Sequence, residues 1–332
     1  MTIRITGTGS ALPEKIVTNF DLQELVETSD EWIRERTGIA ERRISTGDTV
    51  ATLSAEACRR ALEMAGKTAE EVELILVATC SPEMLLPCCA CQVQDIIGAS
   101  HAAAFDLNAA CSGFLFALNT AYAYMQSGIY RNALIVGSEV LSKVVDWSDR
   151  GTCVLFGDGA GAAFVEASAE DIVRDNGRKV GMECMVQGSD GTKGMVLSCA
   201  ERPVNNAFIS EKQTASPYIQ MNGQEVYKFA TRQVPACIHE ALDKAGITAE
   251  DVDMFVLHQA NVRIIESVAK RLKTDISKFP MNLDKIGNMS SATIPVLLDE
   301  LNRGGRIQDG NRLVLSGFGA GLIWGAALYE WI

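Results

Sequence analysis

The stretch Ala61-Leu62-Glu63-Met64-Ala65-Gly66-Lys67-Thr68-Ala69-Glu70-Glu71-Val72-Glu73-Leu74-Ile75-Leu76-Val77 returns 180 residues later as Ala241-Leu242-Asp243-Lys244-Ala245-Gly246-Ile247-Thr248-Ala249-Glu250-Asp251-Val252-Asp253-Met254-Phe255-Val256-Leu257. Each copy reads as a helix end stopped by glycine, followed by an apolar strand. Self-similarity at a fixed offset points to two related structural units in one chain. Working outward, Val50, Leu53, Ala57, Cys58, Ala61, Leu62 and Ala65 recur at helical spacing. Leu74 to Ala78 is continuously apolar, as expected of a strand covered on both faces of a parallel sheet. Cys88 to Ile97 reads as helix, Ala102 to Leu107 as strand, Ser112 to Ser127 as helix and Leu134 to Val136 as a buried strand. Strand and helix alternate, so the class is α/β. The later elements are echoed too, by a helix near Ser290 and by Asn311 to Leu315. The expected division is 1–170 and 171–332, with the join around residues 168–180.

Composition bounds the function. The chain has 332 residues, 47% hydrophobic and 22% charged, enough to bury a sizeable core. A net charge of −12 argues against a general nucleic-acid binder, which needs a basic surface. The opening Met1-Thr2-Ile3-Arg4-Ile5-Thr6 reads as a strand without a signal peptide's apolar core, and no apolar run is long enough to span a bilayer. The expectation is a soluble cytoplasmic protein with no membrane or nucleic-acid partner. Ten cysteines at irregular spacing fit reduced thiols and not a disulfide framework. Cys88-Cys89-Ala90-Cys91 is the one cluster that invites a metal. No second Cys or His pair follows at finger-like spacing, so no metal site is expected.

Asp106-Leu107-Asn108-Ala109-Ala110-Cys111-Ser112-Gly113-Phe114 runs from a strand through small residues into a helix. That places the Cys111 thiol at a helix N-terminus, where free N–H groups and the macrodipole favour thiolate and can receive an oxyanion. A buried core cysteine is the alternative. The repeat puts His258 at the C-terminal end of the strand matching Leu74 to Ala78. It also puts Asn288 just before the helix matching the one that Cys111 opens. Strand carboxyl ends are where open α/β sheets bind ligands, so the three residues can meet near the interface of the halves. Taken singly, His258 could be a structural histidine and Asn288 a turn residue. Together, Cys, His and Asn suit covalent acyl transfer: a sulfur nucleophile, with imidazole and amide serving the oxyanion.

Other segments are read more plainly. Phe156-Gly157-Asp158-Gly159-Ala160-Gly161 lacks the Lys-Ser/Thr of a P-loop, and close backbone packing at a strand start explains it. Gly317-Phe318-Gly319-Ala320-Gly321 is a glycine-lined turn that lets backbone approach a ligand or simply connects strands. Val262, Ile265, Ala269 and Leu272 form an apolar stripe, while Arg263, Lys270, Arg271 and Lys273 oppose only Glu266. This basic face suits an acidic or phosphorylated carrier, or it is an ordinary solvated face. Thr28-Ser29-Asp30-Glu31 has the capping-box form before a helix carrying Trp32 and Arg36, with Gly38 as its stop.

Asn108 to Phe114, His258-Gln259-Ala260-Asn261-Val262-Arg263, Gly287-Asn288-Met289-Ser290-Ser291-Ala292 and Gly317 to Gly321 resemble the motifs of β-ketoacyl-acyl-carrier-protein synthase III, in the same order. Thr28 to Ile33, Arg36-Thr37-Gly38-Ile39 and Asp149-Arg150-Gly151-Thr152 extend the likeness end to end. The resemblance implies the thiolase fold, two halves in a five-layer α-β-α-β-α sandwich, usually as a homodimer. It implies that Cys111 takes an acyl group from acyl-CoA and that the enolate from decarboxylated malonyl-acyl-carrier protein attacks it, starting fatty-acid synthesis without a cofactor. By the same resemblance His258 and Asn288 stabilise the enolate, the N–H groups of Cys111 and Ala320 hold the thioester oxyanion, and Phe318 borders the site. Trp32 and Arg150 match positions around the CoA adenine, and Arg36, Gly223, Asn261 and Arg263 match positions along the CoA or carrier arm. The basic helix would then dock the acidic carrier protein.

The sequence departs from that pattern in three places. Leu86 stands where many relatives send an aromatic residue from the partner subunit into the acyl pocket. Ala320 replaces a glycine, and residues 195–216 are longer than usual. A polyketide or quinolone-type condensing enzyme shares the fold and is the nearest alternative. A Cys-His-Asn hydrolase is the alternative from another class, but it lacks the repeat.

Overall fold

The computed structural model describes residues 1–200 and 202–332; residue 201, inside the 195–216 segment, lies outside the described residues. The first half supplies strands β1 (Ile3–Ala11), β2 (Leu74–Ala78), β3 (Ala103–Leu107), β4 (Asn132–Val140) and β5 (Asp158–Ala167). They form one sheet in the order β1-β5-β4-β2-β3. The second half supplies β6 (Gly181–Ser189), β7 (Met254–Leu257), β8 (Arg312–Gly319) and β9 (Ile323–Glu330), in the order β6-β9-β8-β7. Strand for strand the two orders correspond, and only β3 lacks a paired counterpart.

The sheets are mixed. β2 runs parallel to β3 and β4, and β7 parallel to β8, as the continuous apolar runs imply. β5 and β9 pair antiparallel with their neighbours. The three residues between β8 and β9 are too few for a crossover, so that pair is obliged to be antiparallel.

Seven helices complete the layers: α1 (Asp30–Thr37), α2 (Val50–Ala65), α3 (Cys89–Ile97), α4 (Gly113–Gln126), α5 (Gly223–Ala245), α6 (Val262–Leu272) and α7 (Thr293–Arg303). α2 and α3 cover the outer face of the first sheet, α5 and α6 that of the second, and α4 and α7 lie between the sheets. This is the five-layer arrangement expected. The largest apolar cluster occupies the middle, joining Phe114, Leu115, Leu297 and Leu298 to strands of both sheets. Local signals held up in the repeated segment: α2 ends at Gly66 (φ 65°) and α5 at Gly246 (φ 68°), both left-handed. At α1 the cap is Ser29 and not Thr28. The Ser29 hydroxyl accepts from Trp32 N–H, which leaves Asp30 inside the helix to pair with Arg34.

The halves lock by close approach. A Cβ on Gly137 of β4 would lie 2.1 Å from the Ser291 carbonyl oxygen, and one on Gly113 would lie 3.2 Å from the Ser291 Cβ. Thr8 and Ser10 of β1 donate to the Asp299 carboxylate of α7 at 2.8 and 2.6 Å. No helix among the described residues is long and apolar enough to cross a membrane.

Candidate active site

Two matching turns build the site. Asn108 Oδ1 accepts from Ala110 N–H at 3.1 Å; 180 residues on, Asn288 Oδ1 accepts from Ser290 N–H at 2.8 Å. Each asparagine thereby forces the next turn into a left-handed residue, Ala110 at φ 44° and Ser290 at φ 48°. Each left-handed residue opens a short 3₁₀ segment, Ala110–Ser112 before α4 and Ser290–Ala292 before α7. Backbone strain of this kind at a non-glycine residue persists only where the surroundings hold it.

Cys111 sits in the middle of the first 3₁₀ segment, 8% exposed, with its own N–H against its sulfur. Gly319 makes room for it: a Cβ there would lie 2.7 Å from the Cys111 nitrogen and 3.2 Å from the sulfur. The thiolate expected from the helix start is not what the structure holds. Burial pushes the Cys111 thiol up to about 12, the Ser290 hydroxyl pulling against burial and the Glu139 carboxylate adding to it. Desolvation of a charge in a closed cavity outweighs the partial charge of a helix end. The resting nucleophile is therefore a neutral thiol.

His258 caps β7, its N–H donating to Ser316 O at 2.8 Å. Its Nδ1 lies 2.6 Å from Thr293 Oγ1, and its ring packs edge-on against Phe318 with centroids 5.3 Å apart. Burial alone depresses the imidazole to about 3, so it is neutral at every ordinary pH. Asn288 is pinned by backbone, its N–H donating to Leu155 O at 2.9 Å and its carbonyl accepting from Gly157 N–H at 3.0 Å. With Oδ1 spent on Ser290, its Nδ2 is the atom left to donate into the cavity. The glycines at 157 and 159 serve packing, as read from sequence: Cβ atoms there would strike Ile286 O and the Met289 sulfur at 2.4 and 2.6 Å.

Cys111, His258 and Asn288 meet in one cavity of about 520 Å³. Phe318, Ala320, Asn261 and Gly223 also line it, with Leu155, Ile219, Val226 and Ile323 among its apolar walls. Leu197 and Cys199 bring the start of the 195–216 segment onto the same wall. The remaining expected residues lie outside the cavity lining. Arg36 and Arg150 hold their guanidinium carbons 4.9 and 5.2 Å from the Trp32 ring centroid, a cation–π cluster on the surface. Asn261 ties that cluster to the cavity, since Nδ2 donates to Arg36 O at 2.9 Å while Oδ1 caps α6. Arg263 is not a free cation of the basic face: it donates to Glu35 O at 3.0 Å and pairs with the Glu35 carboxylate at 3.5 Å. Leu86 is 86% exposed and touches no wall of its own chain's cavity.

Sequence reasoning missed three groups here. Glu139 is wholly buried at the end of β4, where Thr79, Ser81 and Ser291 hydroxyls and the Cys80 N–H and thiol all reach its carboxylate. Cys80 is a second thiol in the cavity, 4.0 Å from Ser290 Oγ. Thr293 is the sole hydrogen-bond partner of the His258 ring among the described residues. An acid inside the apolar run Leu134 to Val140 was a usable signal for Glu139. Nothing local marked Thr293.

Residues 105–181 match the family described as 3-oxoacyl-[acyl-carrier-protein (ACP)] synthase III, and residues 242–331 match its C-terminal description. A β-ketoacyl-[acyl-carrier-protein] synthase III from Clostridium acetobutylicum is 50% identical over 99% of this chain and 98% of its own length. The chain belongs to the β-ketoacyl-acyl-carrier-protein synthase III family. A relative from Bacillus cereus is 48% identical over all of this chain and 99% of its own. The synthase III crystal structure from Aquifex aeolicus superposes with a TM-score of 0.91, covering 99% of this chain and all of that one at 39% identity. Family membership makes the protein a condensing acyltransferase of fatty-acid biosynthesis with the thiolase fold.

Proposed function

We propose that Cys111 accepts an acyl group from acyl-CoA and passes it to the carbanion formed by decarboxylating malonyl-acyl-carrier protein. The single observation that carries this reading is the convergence of a buried thiol, a neutral imidazole and an asparagine amide on one largely apolar cavity. In the first half-reaction the Cys111 sulfur attacks the thioester carbonyl carbon, the C–S bond to CoA breaks, and the thiol proton leaves with CoA. The N–H groups of Cys111 and Ala320 receive the oxyanion, which costs no reorganisation because both are fixed backbone.

In the second half-reaction the malonyl carboxylate leaves as CO₂ and its electron pair forms an enolate. His258 Nε2–H and Asn288 Nδ2–H donate to the enolate oxygen, and the α-carbon then attacks the acyl-Cys111 carbonyl. The acyl C–S bond to Cys111 breaks, the β-ketoacyl-carrier product departs, and the released Cys111 thiolate takes a proton from water. A neutral imidazole is the appropriate donor, since a cation buried there would be charged at the cost of desolvation.

Trp32 and Arg150 bracket the CoA adenine. Arg36, Gly223, Asn261 and Arg263 line the path of the CoA or carrier arm, with Phe318 at the site's border. The two units 1–170 and 171–332 contribute the nucleophile and the His-Asn pair respectively. The enzyme works as a cytoplasmic homodimer in which Leu86 of the partner subunit closes the acyl cavity; its exposure on its own chain supports this. All chemistry is assigned to side chains and backbone donors, with two thioesters as substrates and no added cofactor or metal.

Intact-mass measurement after incubation with a panel of acyl-CoAs tests the assignment. Wild type gains one acyl group and Cys111→Ala gains none. Acylation that persists in the variant overturns it.

A further inference from the structure

Cys111 must lose a proton to attack a thioester, and the imidazole beside it is committed elsewhere. Nδ1 of His258 faces Thr293 Oγ1 at 2.6 Å, and the enolate chemistry requires Nε2 to carry hydrogen, so neither nitrogen is left as a base. A different path leads away from the sulfur. The Cys111 side chain is hydrogen-bonded with the Ser290 hydroxyl. Ser290 Oγ lies 4.0 Å from the Cys80 sulfur, the longest link, and the Cys80 thiol donates to both Glu139 carboxylate oxygens at 3.4 Å. Ser290 stands between the two thiols because its left-handed conformation, φ 48°, is fixed by the 2.8 Å bond from its N–H to Asn288 Oδ1.

Glu139 is fitted to end such a path. It is wholly buried, and the Thr79 and Ser81 hydroxyls and the Cys80 N–H donate to one of its oxygens at 3.2, 2.6 and 3.1 Å. These donors carry no charge that would cancel its own. Among the described residues the titratable groups facing it are the thiols of Cys80 and Cys111; Ser291 from the turn before α7 and Gly159, its partner on β5, bring none. Burial, with the Glu139 charge adding to it, holds the Cys80 thiol well above its usual value, which makes it a carrier of protons and not a resident anion. After burial, the same carboxylate also raises Cys111, because a thiolate beside it would be a second anion in a desolvated pocket. Moving the Cys111 proton to Glu139 removes that conflict: one negative charge is present before and after, transferred from oxygen to sulfur.

We propose that Ser290, Cys80 and Glu139 form a proton relay that takes the Cys111 proton as the sulfur attacks the acyl-CoA thioester and returns it to the departing CoA sulfur. The inference rests on Cys111 being the acyl acceptor. As the new C–S bond forms, the Cys111 proton passes to Ser290 Oγ, the Ser290 proton to Cys80 Sγ and the Cys80 proton to Glu139. Cys111 and CoA sulfurs share one carbon in the tetrahedral intermediate, so the Ser290 hydroxyl serves both. When the C–S bond to CoA breaks, the transfers reverse and Ser290 delivers a proton to the CoA sulfur. No proton is exchanged with solvent, and Glu139 is a carboxylate again once the acyl-enzyme has formed.

The test follows self-acylation of the whole protein by acetyl-CoA, without carrier protein, by quenched intact-mass measurement across neutral to alkaline pH. Wild type is expected to show a rate that changes little with pH. Glu139→Gln keeps the shape, and its amide can donate to Ser291 Oγ while that hydroxyl turns to Ala78 O, so an unchanged thermal midpoint is expected. Its rate is expected to fall on the order of 10²-fold near neutrality, the lower end of what a general base contributes. The rate should then climb about tenfold per pH unit, because the sulfur must now ionise to solvent. Cys80→Ala should behave alike, and Cys80→Ser, which retains a proton carrier, should recover most of that loss. A Glu139→Gln rate that keeps the wild-type pH profile overturns the relay, whether or not it is uniformly lowered. So does wild-type acylation in Cys80→Ala. Cys111→Ala separates the two readings: acylation persisting there removes the nucleophile itself, whereas an inert Cys111→Ala beside an unaltered Glu139→Gln profile removes the relay alone.

Discussion

Between the His258 ring and the Ser290 carbonyl lies a single hydroxyl proton, that of Thr293, and its direction decides which imidazole nitrogen carries hydrogen. Thr293 Oγ1 is 2.6 Å from Nδ1 and 3.0 Å from Ser290 O. Donated to Nδ1, the proton leaves Nε2–H for the enolate; donated to Ser290, it leaves Nε2 a bare lone pair. The shorter contact and the proposed chemistry agree on the first arrangement. Thr293→Val keeps the shape and removes the donor. Its turnover in decarboxylative condensation is expected to fall on the order of 10²-fold, the scale of one lost oxyanion donor. Self-acylation of Cys111 should change little, Thr293→Ser should recover most of the loss, and the defect should be flat in pH because the imidazole never charges in the working range. Equal losses in both half-reactions would refute the tautomer argument. Cys111, His258 and Asn288 were legible in sequence because one offset maps a turn onto a turn and a strand end onto a strand end. Thr293 was not, because its role depends on how closely α7 approaches β7.

Among the elements, α6 carries exposed charge that no ion pair among the described residues consumes. Its apolar stripe was plain from spacing, and Ile265, Ala269 and Leu272 are buried as read, joined by Ile264 and Val268. Its polar face was legible only in part. Arg263 is drawn to Glu35, 228 residues away in sequence, a pairing that only the packing of α1 beside α6 creates. Lys270, Arg271 and Lys273 remain exposed and make no ion pair among the described residues. They are the part of the helix available to an acidic carrier protein. Lys270→Glu with Arg271→Glu is expected to raise KM for malonyl-acyl-carrier protein about tenfold or more, with a steep dependence on salt. KM for acyl-CoA should move far less. Unchanged kinetics with the carrier substrate would make this an ordinary solvated face.

For the molecule as a whole, the halves meet through groups too small to be noticed in a sequence. Gly137 faces the Ser291 carbonyl at a separation no side chain tolerates. Gly137→Ala forces the second turn away from β4. Its expected cost is about 1–3 kcal/mol of stability by overpacking, together with a loss of acylation because Ser290 and Asn288 ride on that turn. Wild-type thermal stability in this variant would show the junction to be more compliant than its geometry. Fold class and layer order were readable because apolar runs and an internal repeat are one-dimensional signals. Registration between halves was not, because it rests on glycine and serine contacts with no periodicity. The same contacts carry a consequence for counting. Ser291 occupies in the second turn the place of Cys111 in the first, and its hydroxyl lies 2.9 Å from Ala78 O and 3.0 Å from the Glu139 carboxylate. Where the first turn carries the proposed nucleophile, the second carries a hydroxyl that acts as a dowel between the halves. The proposed chemistry therefore predicts one acyl group for each pair of repeats, and an intact mass with two would refute it.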